Sequence, residues 1–276
     1  MELTPENAID YLRQAERASI TGEILVQALP GDERPGGNVV LKIFDTTAGE
    51  KIGTDLRTEV QKKLGKPDLR PTQGNCFVLK QPRPAAMGGI DLGRISSERA
   101  CMDLLGNLLP EHSVPAVQWY DEAAGILAMS CAPLDAVVWR KQLGAGVISM
   151  DAATHTGMLL AMLHSSTKKD MAVKEKFGDS RVLLQGRLDP AIRAASSRNV
   201  PLMRMLQDAA FRVKSPLCLI HGDYSTENIL LVPAPAEETP AGKAKSAPGV
   251  SQAMIVDFET ACFGHNAFDV ATIVSD

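Results

Sequence analysis

The sequence predicts an α+β chain of two lobes, the first an antiparallel sheet with a helix and the second mainly helical. Strand-type runs, apolar and β-branched, fall at residues 23–29, 38–44, 76–81, 114–120 and 125–130, while helical periodicity dominates from Leu134 onward. At 276 residues the chain can bury a large core, enough for one large domain or two lobes. The first lobe is expected over residues 1–130 and the second over 131–276, with a flexible loop rich in Pro, Ala, Glu and Lys at 233–251.

Composition is that of a globular protein, 45% hydrophobic and 22% charged, with mean hydropathy near zero. A formal net charge of −4 supplies no general attraction to nucleic acid or to an anionic membrane, so neither is expected as a partner. No apolar run approaches the roughly 20 residues of a membrane helix, and residues 1–6 lack the basic and apolar regions of a signal peptide. The cysteines (Cys76, Cys101, Cys131, Cys218 and Cys262) are odd in number, scattered and set mostly among apolar neighbours. They read as reduced core residues of a cytoplasmic protein, not as a disulfide frame or a zinc site.

Thr4 as N-cap and Pro5 at the first helical position begin a short helix that runs to about Arg17. Between the first two strands, residues 30–38 include Gly36, Gly37 and Asn38. Glycines let a backbone approach a ligand closely, as over phosphates, although a plain hairpin loop fits the same residues. Residues 46–75 are polar and charged and read as an insertion, with a possible helix at 55–64. Lys80 ends an apolar run, and Glu98 follows on a helix with apolar residues at helical spacing. A buried lysine held by a helix carboxylate reaches the α- and β-phosphates of ATP in kinases. Lys42 and Glu59 compete for that role with nearly the same spacing. Lys80 and Glu98 are preferred because a strand pair at 114–130 follows the Glu98 helix, as the sheet of a kinase N-terminal lobe requires. The segment after it, from Met129 through Cys131 to Pro133, is the candidate hinge whose backbone would hydrogen-bond an adenine. The first lobe therefore reads as nucleotide-binding.

In the second lobe a strongly apolar helix at 151–165 reads as core, and His164 on it as a hydrogen-bonded core histidine. Further helix at 189–195 and 201–213 leads into residues 217–231, where His221, Asp223 and Asn228 show the spacing His-x-Asp-x-x-x-x-Asn between two apolar runs. Asp257 ends another apolar run downstream. A proton acceptor, a carboxamide and a carboxylate at one place are the equipment of phosphoryl transfer, where positioning and charge neutralisation do most of the catalysis. Asp223 as base would accept or orient the proton of an acceptor hydroxyl. Asn228 would offer its carbonyl oxygen to Mg²⁺, and Asp257 would bridge that metal to the phosphates of ATP. His221 would hold the loop's shape by hydrogen bonds. Asp and Asn also cap turns for purely structural reasons; the complete set in this order is what favours the chemistry.

These residues resemble the motifs of the aminoglycoside phosphotransferase and choline kinase-like family of small-molecule kinases, which includes methylthioribose kinase-like members. The matching segments are 221–230, 255–259 with Gly264, Phe268 and Asp269 beyond, and 77–80 followed by Glu98. Gly157, Leu163 and His164 also look like the family's helix before the catalytic loop. The resemblance implies a two-lobed protein-kinase-like fold and an ATP- and Mg²⁺-dependent transfer to a hydroxyl of a small-molecule acceptor, such as a metabolite, a sugar or an aminoglycoside-like compound. It implies that Asp269 pins the catalytic-loop backbone and that Glu259 supports the metal site. Gly222 stands where protein kinases usually carry arginine and Glu259 where they carry glycine, and both departures favour a small acceptor over a protein. Against the family's pattern, the insertion after Phe44 is long and the chain stops at Asp276, so the second lobe is expected to be truncated.

Two other functions compete. An inactive, kinase-like nucleotide-binding module would keep the fold without turnover. A metal-dependent phosphohydrolase would use Gly222-Asp223 and nearby histidines, but the chain lacks the upstream Asp-x-His and the Gly-Asn-His that this chemistry needs.

Overall fold

The computed structural model of the chain describes residues 2–14, 24–29, 37–45, 76–84, 92–196, 198–213, 216–234 and 249–276. The chain divides into two units, Met1–Ser96 with Pro115–Asp135 and Ser97–Val114 with Ala136–Asp276. The expected insertion at 46–75, its possible helix and Glu59 lie outside the described residues, as do Gly36 and most of the loop at 233–251.

In the first unit, β1 (Ile24–Ala28), β2 (Asn38–Asp45), β3 (Cys76–Pro82), β4 (Val117–Asp121) and β5 (Ile126–Ser130) form one sheet in the order β1–β2–β3–β5–β4. Every neighbouring pair is antiparallel, so each strand offers alternate residues to opposite faces. On one face Val39, Leu41, Ile43, Phe77, Leu79, Ile126 and Ala128 bury together with Leu3, Ala8 and Leu12 of the N-terminal segment. The expected Thr4 cap is present. Thr4 Oγ1 accepts from Asn7 N at 3.3 Å and Asn7 Oδ1 accepts from Thr4 N at 2.7 Å, which steers the chain into the helix Ala8–Gln14. Gln81 is a buried polar residue on this face. Its Oε1 accepts from Leu3 N at 2.7 Å and its amide donates to Ala124 O at 2.9 Å, which offsets its desolvation. The opposite face carries Val40, Lys42 and Phe44 of β2 beside Cys76, Val78 and Lys80 of β3 and Leu127 and Met129 of β5, so the two candidate lysines share it.

One expectation is corrected here. Cys76 and Cys131 form a disulfide, with Cα atoms 5.7 Å apart, while Cys101, Cys218 and Cys262 are free and buried. Phe77 pairs with Ser130 in the β3–β5 ladder, and one step further along the antiparallel register sets Cys76 opposite Cys131. That proximity depends on strand pairing across a separation of 55 residues and is invisible in the local apolar context of either cysteine. A disulfide is also unusual in a reducing compartment. A bridge closing a loop of this length stabilises a fold by about 2–4 kcal/mol. Cys131→Ser is therefore expected to lower the denaturation midpoint of the oxidised protein, a reducing agent should reproduce that drop in wild type, and the variant should not respond to it.

In the second unit, the helix Met150–Ser166 starts at Ser149, whose hydroxyl accepts from Ala152 N at 3.2 Å, and buries Leu159, Leu160 and Leu163. The unit is mainly helical but also holds two small sheets. Strands β7 (Cys218–Ile220) and β10 (Cys262–Gly264) pair with each other, and β6 (Val137–Val138), β8 (Ile229–Pro233) and β9 (Val250–Ile255) form the order β6–β8–β9. A helical run from Arg181 to Ser196 contains a π-helical turn at Leu184–Leu188. The wider turn lets Leu183 and Leu188, five apart, both bury against Cys218, Ile220 and Cys262. Among the described residues no helix is long and apolar enough to cross a membrane.

Candidate active site

The site in the second unit is built on the register of β8 with β9. Ile229 pairs with Ile255 and Val256 N donates to Asn228 O at 3.0 Å, so Asn228, entering β8, and Asp257, leaving β9, emerge side by side. Asp257 has φ of 69°, a left-handed conformation that few non-glycine residues adopt and that clusters at functional sites. The amide nitrogen of Asn228 donates to the backbone oxygen and to Oδ2 of Asp223, each at 3.0 Å. That commitment leaves Oδ1 as the end of the carboxamide for a cation.

The loop that carries Asp223 is held from beneath by Asp269. This fully buried carboxylate accepts from His221 N and Gly222 N, each at 2.9 Å, and lies 2.8 Å from His164 Nε2. His164 is thus the hydrogen-bonded histidine anticipated on that helix. His221 lies beneath the loop with its ring 4.7 Å from that of Phe258. Its Nδ1 accepts from Asp223 N at 3.2 Å, so the ring proton sits on Nε2 and donates to Val256 O at 3.0 Å. One imidazole thereby ties the loop to the end of β9. Gly222 has φ of +79°, and a Cβ there would stand 2.5 Å from Thr260 O, so the backbone itself demands glycine. Thr260 Oγ1 in turn donates to His221 O at 3.0 Å, and the buried Tyr224 hydroxyl donates to Thr156 O at 2.8 Å.

Burial raises the pKa of Asp223 above the ordinary aspartate value, with the nearby charge of Asp257 adding to it. The Arg187 guanidinium, His221 and the Asn228 amide act in the opposite direction without cancelling the burial. Arg187, on the π-helical turn, forms an ion pair with Asp223 that the sequence alone did not reveal. Its only local sign is an arginine next to Gly186 in an apolar helix; the pairing arises from packing of that turn on β7 and β10. Nothing local in the sequence marks Thr260 or Tyr224 either.

Asp257 and Glu259 come together with Glu98, their carboxylate oxygens within 4.8 Å of one another. The donors of this cluster are all oxygens, the hard set that Mg²⁺ takes, and like charges this close favour a cation among them. The first unit places the other candidates. Lys80 is buried in β3, while Lys42 is half-buried with its ammonium 5.2 Å from the centre of the Phe44 ring. Gly37 O accepts from Arg83 N at 2.7 Å, and buried Asn38 accepts from Arg94 at 2.9 Å. Met129 lies within the ladder, paired with Val78 and Val117, and the irregular chain of the candidate hinge begins at Cys131.

No protein-family model matches the sequence, and no curated protein does. Among solved structures, the GDP complex of wild-type aminoglycoside 2'-phosphotransferase-IIIa is 13% identical over 99% of this chain and 79% of that one, with a TM-score of 0.54. The GDP and kanamycin complex of APH(2")-IIia is 15% identical over 99% and 78%, with a TM-score of 0.53. Likeness at this identity speaks to the fold alone: the chain has the kinase-like fold found in these aminoglycoside phosphotransferases.

Proposed function

We propose that this chain is a phosphotransferase that moves the γ-phosphoryl group of ATP, with Mg²⁺, to a hydroxyl of a small-molecule acceptor. The observation that carries this is the convergence of Asp223, Asn228 and Asp257, produced by the β8–β9 register and the Asn228–Asp223 hydrogen bonds. Asp223 accepts the hydroxyl proton as the hydroxyl oxygen bonds to the γ-phosphorus. The bond from that phosphorus to the β,γ-bridging oxygen breaks and ADP leaves with the electron pair. Bound Mg²⁺ would neutralise charge on the phosphates, and Asn228 and Asp257 are the residues to hold it, with Glu259 in support. Lys80 supplies the cation for the α- and β-phosphates, and Glu98 the carboxylate of that role. Gly37, Asn38 and the backbone at Met129 and Cys131 take the nucleotide-binding roles expected of them. His221 and Asp269 position the base through the loop backbone.

The test is ADP release from ATP and Mg²⁺ across a panel of hydroxyl compounds. Turnover with at least one acceptor is expected. Tight Mg²⁺-dependent ATP binding with no turnover on any of them would instead make the chain a nucleotide-binding module. In parallel, Asp257→Ala is expected to lose the Mg²⁺-dependent part of ATP affinity by calorimetry. An unchanged Mg²⁺ dependence in that variant would remove Asp257 from the metal site.

A further inference from the structure

We infer that the acceptor carries a negative charge, a carboxylate or a phosphate, and that Arg187 is the residue that selects it. The inference rests on the phosphotransferase reading of the same site. Any acceptor hydroxyl must come within hydrogen-bond reach of Asp223, and Arg187 is already paired with that carboxylate. Arg187 is half-exposed, so it faces the side from which a solute arrives, whereas the Asp223 side chain is only 14% exposed. As Asp223 takes the hydroxyl proton, the guanidinium loses its counter-charge and is left to pair with another anion. An anionic group on the same solute supplies it, in the planar, two-pronged geometry that guanidinium favours.

The helical segment that carries Arg187 is basic: residues 179–213 contain six arginines against three aspartates, of which Asp179 pairs with Arg181. Arg193, Arg198 and Arg204 are exposed, and among the described residues they make no ion pair. On a segment with this charge balance an anionic acceptor is favoured over a polycationic one. The π-helical turn gives Arg187 its place: with Leu183 and Leu188 buried against β7 and β10, the turn is anchored on the strand that leads straight into the Asp223 loop.

The test uses acceptors matched on one scaffold: glucose, glucuronate, glucose 6-phosphate and glucosamine, with the corresponding glycerol and ribose compounds, and kanamycin as a polycation. ADP release and calorimetric binding, the latter with Mg²⁺ and a non-hydrolysable ATP analogue, are measured for wild type, Arg187→Gln and Arg187→Lys. Wild type is expected to prefer an anionic member over its neutral parent by at least about tenfold in kcat/KM. Arg187→Gln should erase that preference mainly through KM, and Arg187→Lys should restore part of it. The carboxylate and phosphate arms identify which anion is recognised. Anion binding that depends on Arg187 but without turnover on any compound would leave the inference standing and sink the phosphotransferase reading. Three outcomes, read at a pH above the acid limb of both wild type and variant, would overturn the inference: preferred turnover of kanamycin or glucosamine, failure of every anionic member to bind, or an equal loss of kcat on all acceptors in Arg187→Gln, which would assign Arg187 to the transferred phosphoryl group instead.

Discussion

Asp223→Asn is expected to lower turnover by at least about 10²-fold, the usual cost of removing a positioned proton acceptor. Asparagine keeps the shape and can still accept a hydrogen bond, but it cannot take the proton that the acceptor hydroxyl must lose. ATP affinity should change little, because the proposed metal ligands are Asn228 and Asp257. The pH profile gives the same residue a second signature. Burial raises the pKa of Asp223, so it stays protonated, and idle as a base, to a higher pH than an ordinary aspartate. Activity should therefore climb with pH along an acid limb that lies above the usual carboxylate range. Arg187 pulls that pKa down, so its replacement should push the limb higher still, and Asp223→Asn should abolish it. Equal turnover in wild type and Asp223→Asn would remove Asp223 from the chemistry.

The largest loss of stability is expected at Asp269. Its two carboxylate oxygens satisfy the backbone N–H groups of His221 and Gly222 and the ring nitrogen of His164, all in a fully buried place. Asp269→Ala strands those donors without water. Each buried unsatisfied group costs about 1–3 kcal/mol, and breaking a buried, hydrogen-bonded pair typically costs about 3–5 kcal/mol in all. A fall of that size in unfolding free energy, read by denaturant titration, should accompany loss of turnover because the loop that aims Asp223 is no longer fixed. Asp269→Asn should recover little of it, since an amide NH₂ would meet one of the same N–H donors. A midpoint shift worth less than about 1 kcal/mol would show that the loop is held by other means.

Residues whose partners are close in sequence were the ones legible before the structure. His221, Asp223 and Asn228 lie within eight positions of one another and are bounded by apolar runs, so their loop and its flanking strands could be read directly. The Thr4 cap was legible for the same reason. Long-range packing hid the rest. Arg187 reaches Asp223 across 36 positions, by way of a π-helical turn that no hydrophobic period announces. Cys76 and Cys131 meet only because β3 pairs with β5. In the sequence Gly222 stands out as a departure from the protein-kinase pattern, yet its local cause is a positive φ and the approach of Thr260 O. Glu98 was read for its helix and its spacing from Lys80, which gave no sign that its carboxylate also gathers with Asp257 and Glu259.

Phosphorus NMR of ATP, Mg²⁺ and the best acceptor, with wild type beside Asp223→Asn, is the decisive test of phosphoryl transfer through Asp223. Equal amounts of ADP and a new phosphate monoester are expected in wild type, with neither accumulating in the variant. Inorganic phosphate in place of the ester, or ester formed as fast by Asp223→Asn, would contradict it.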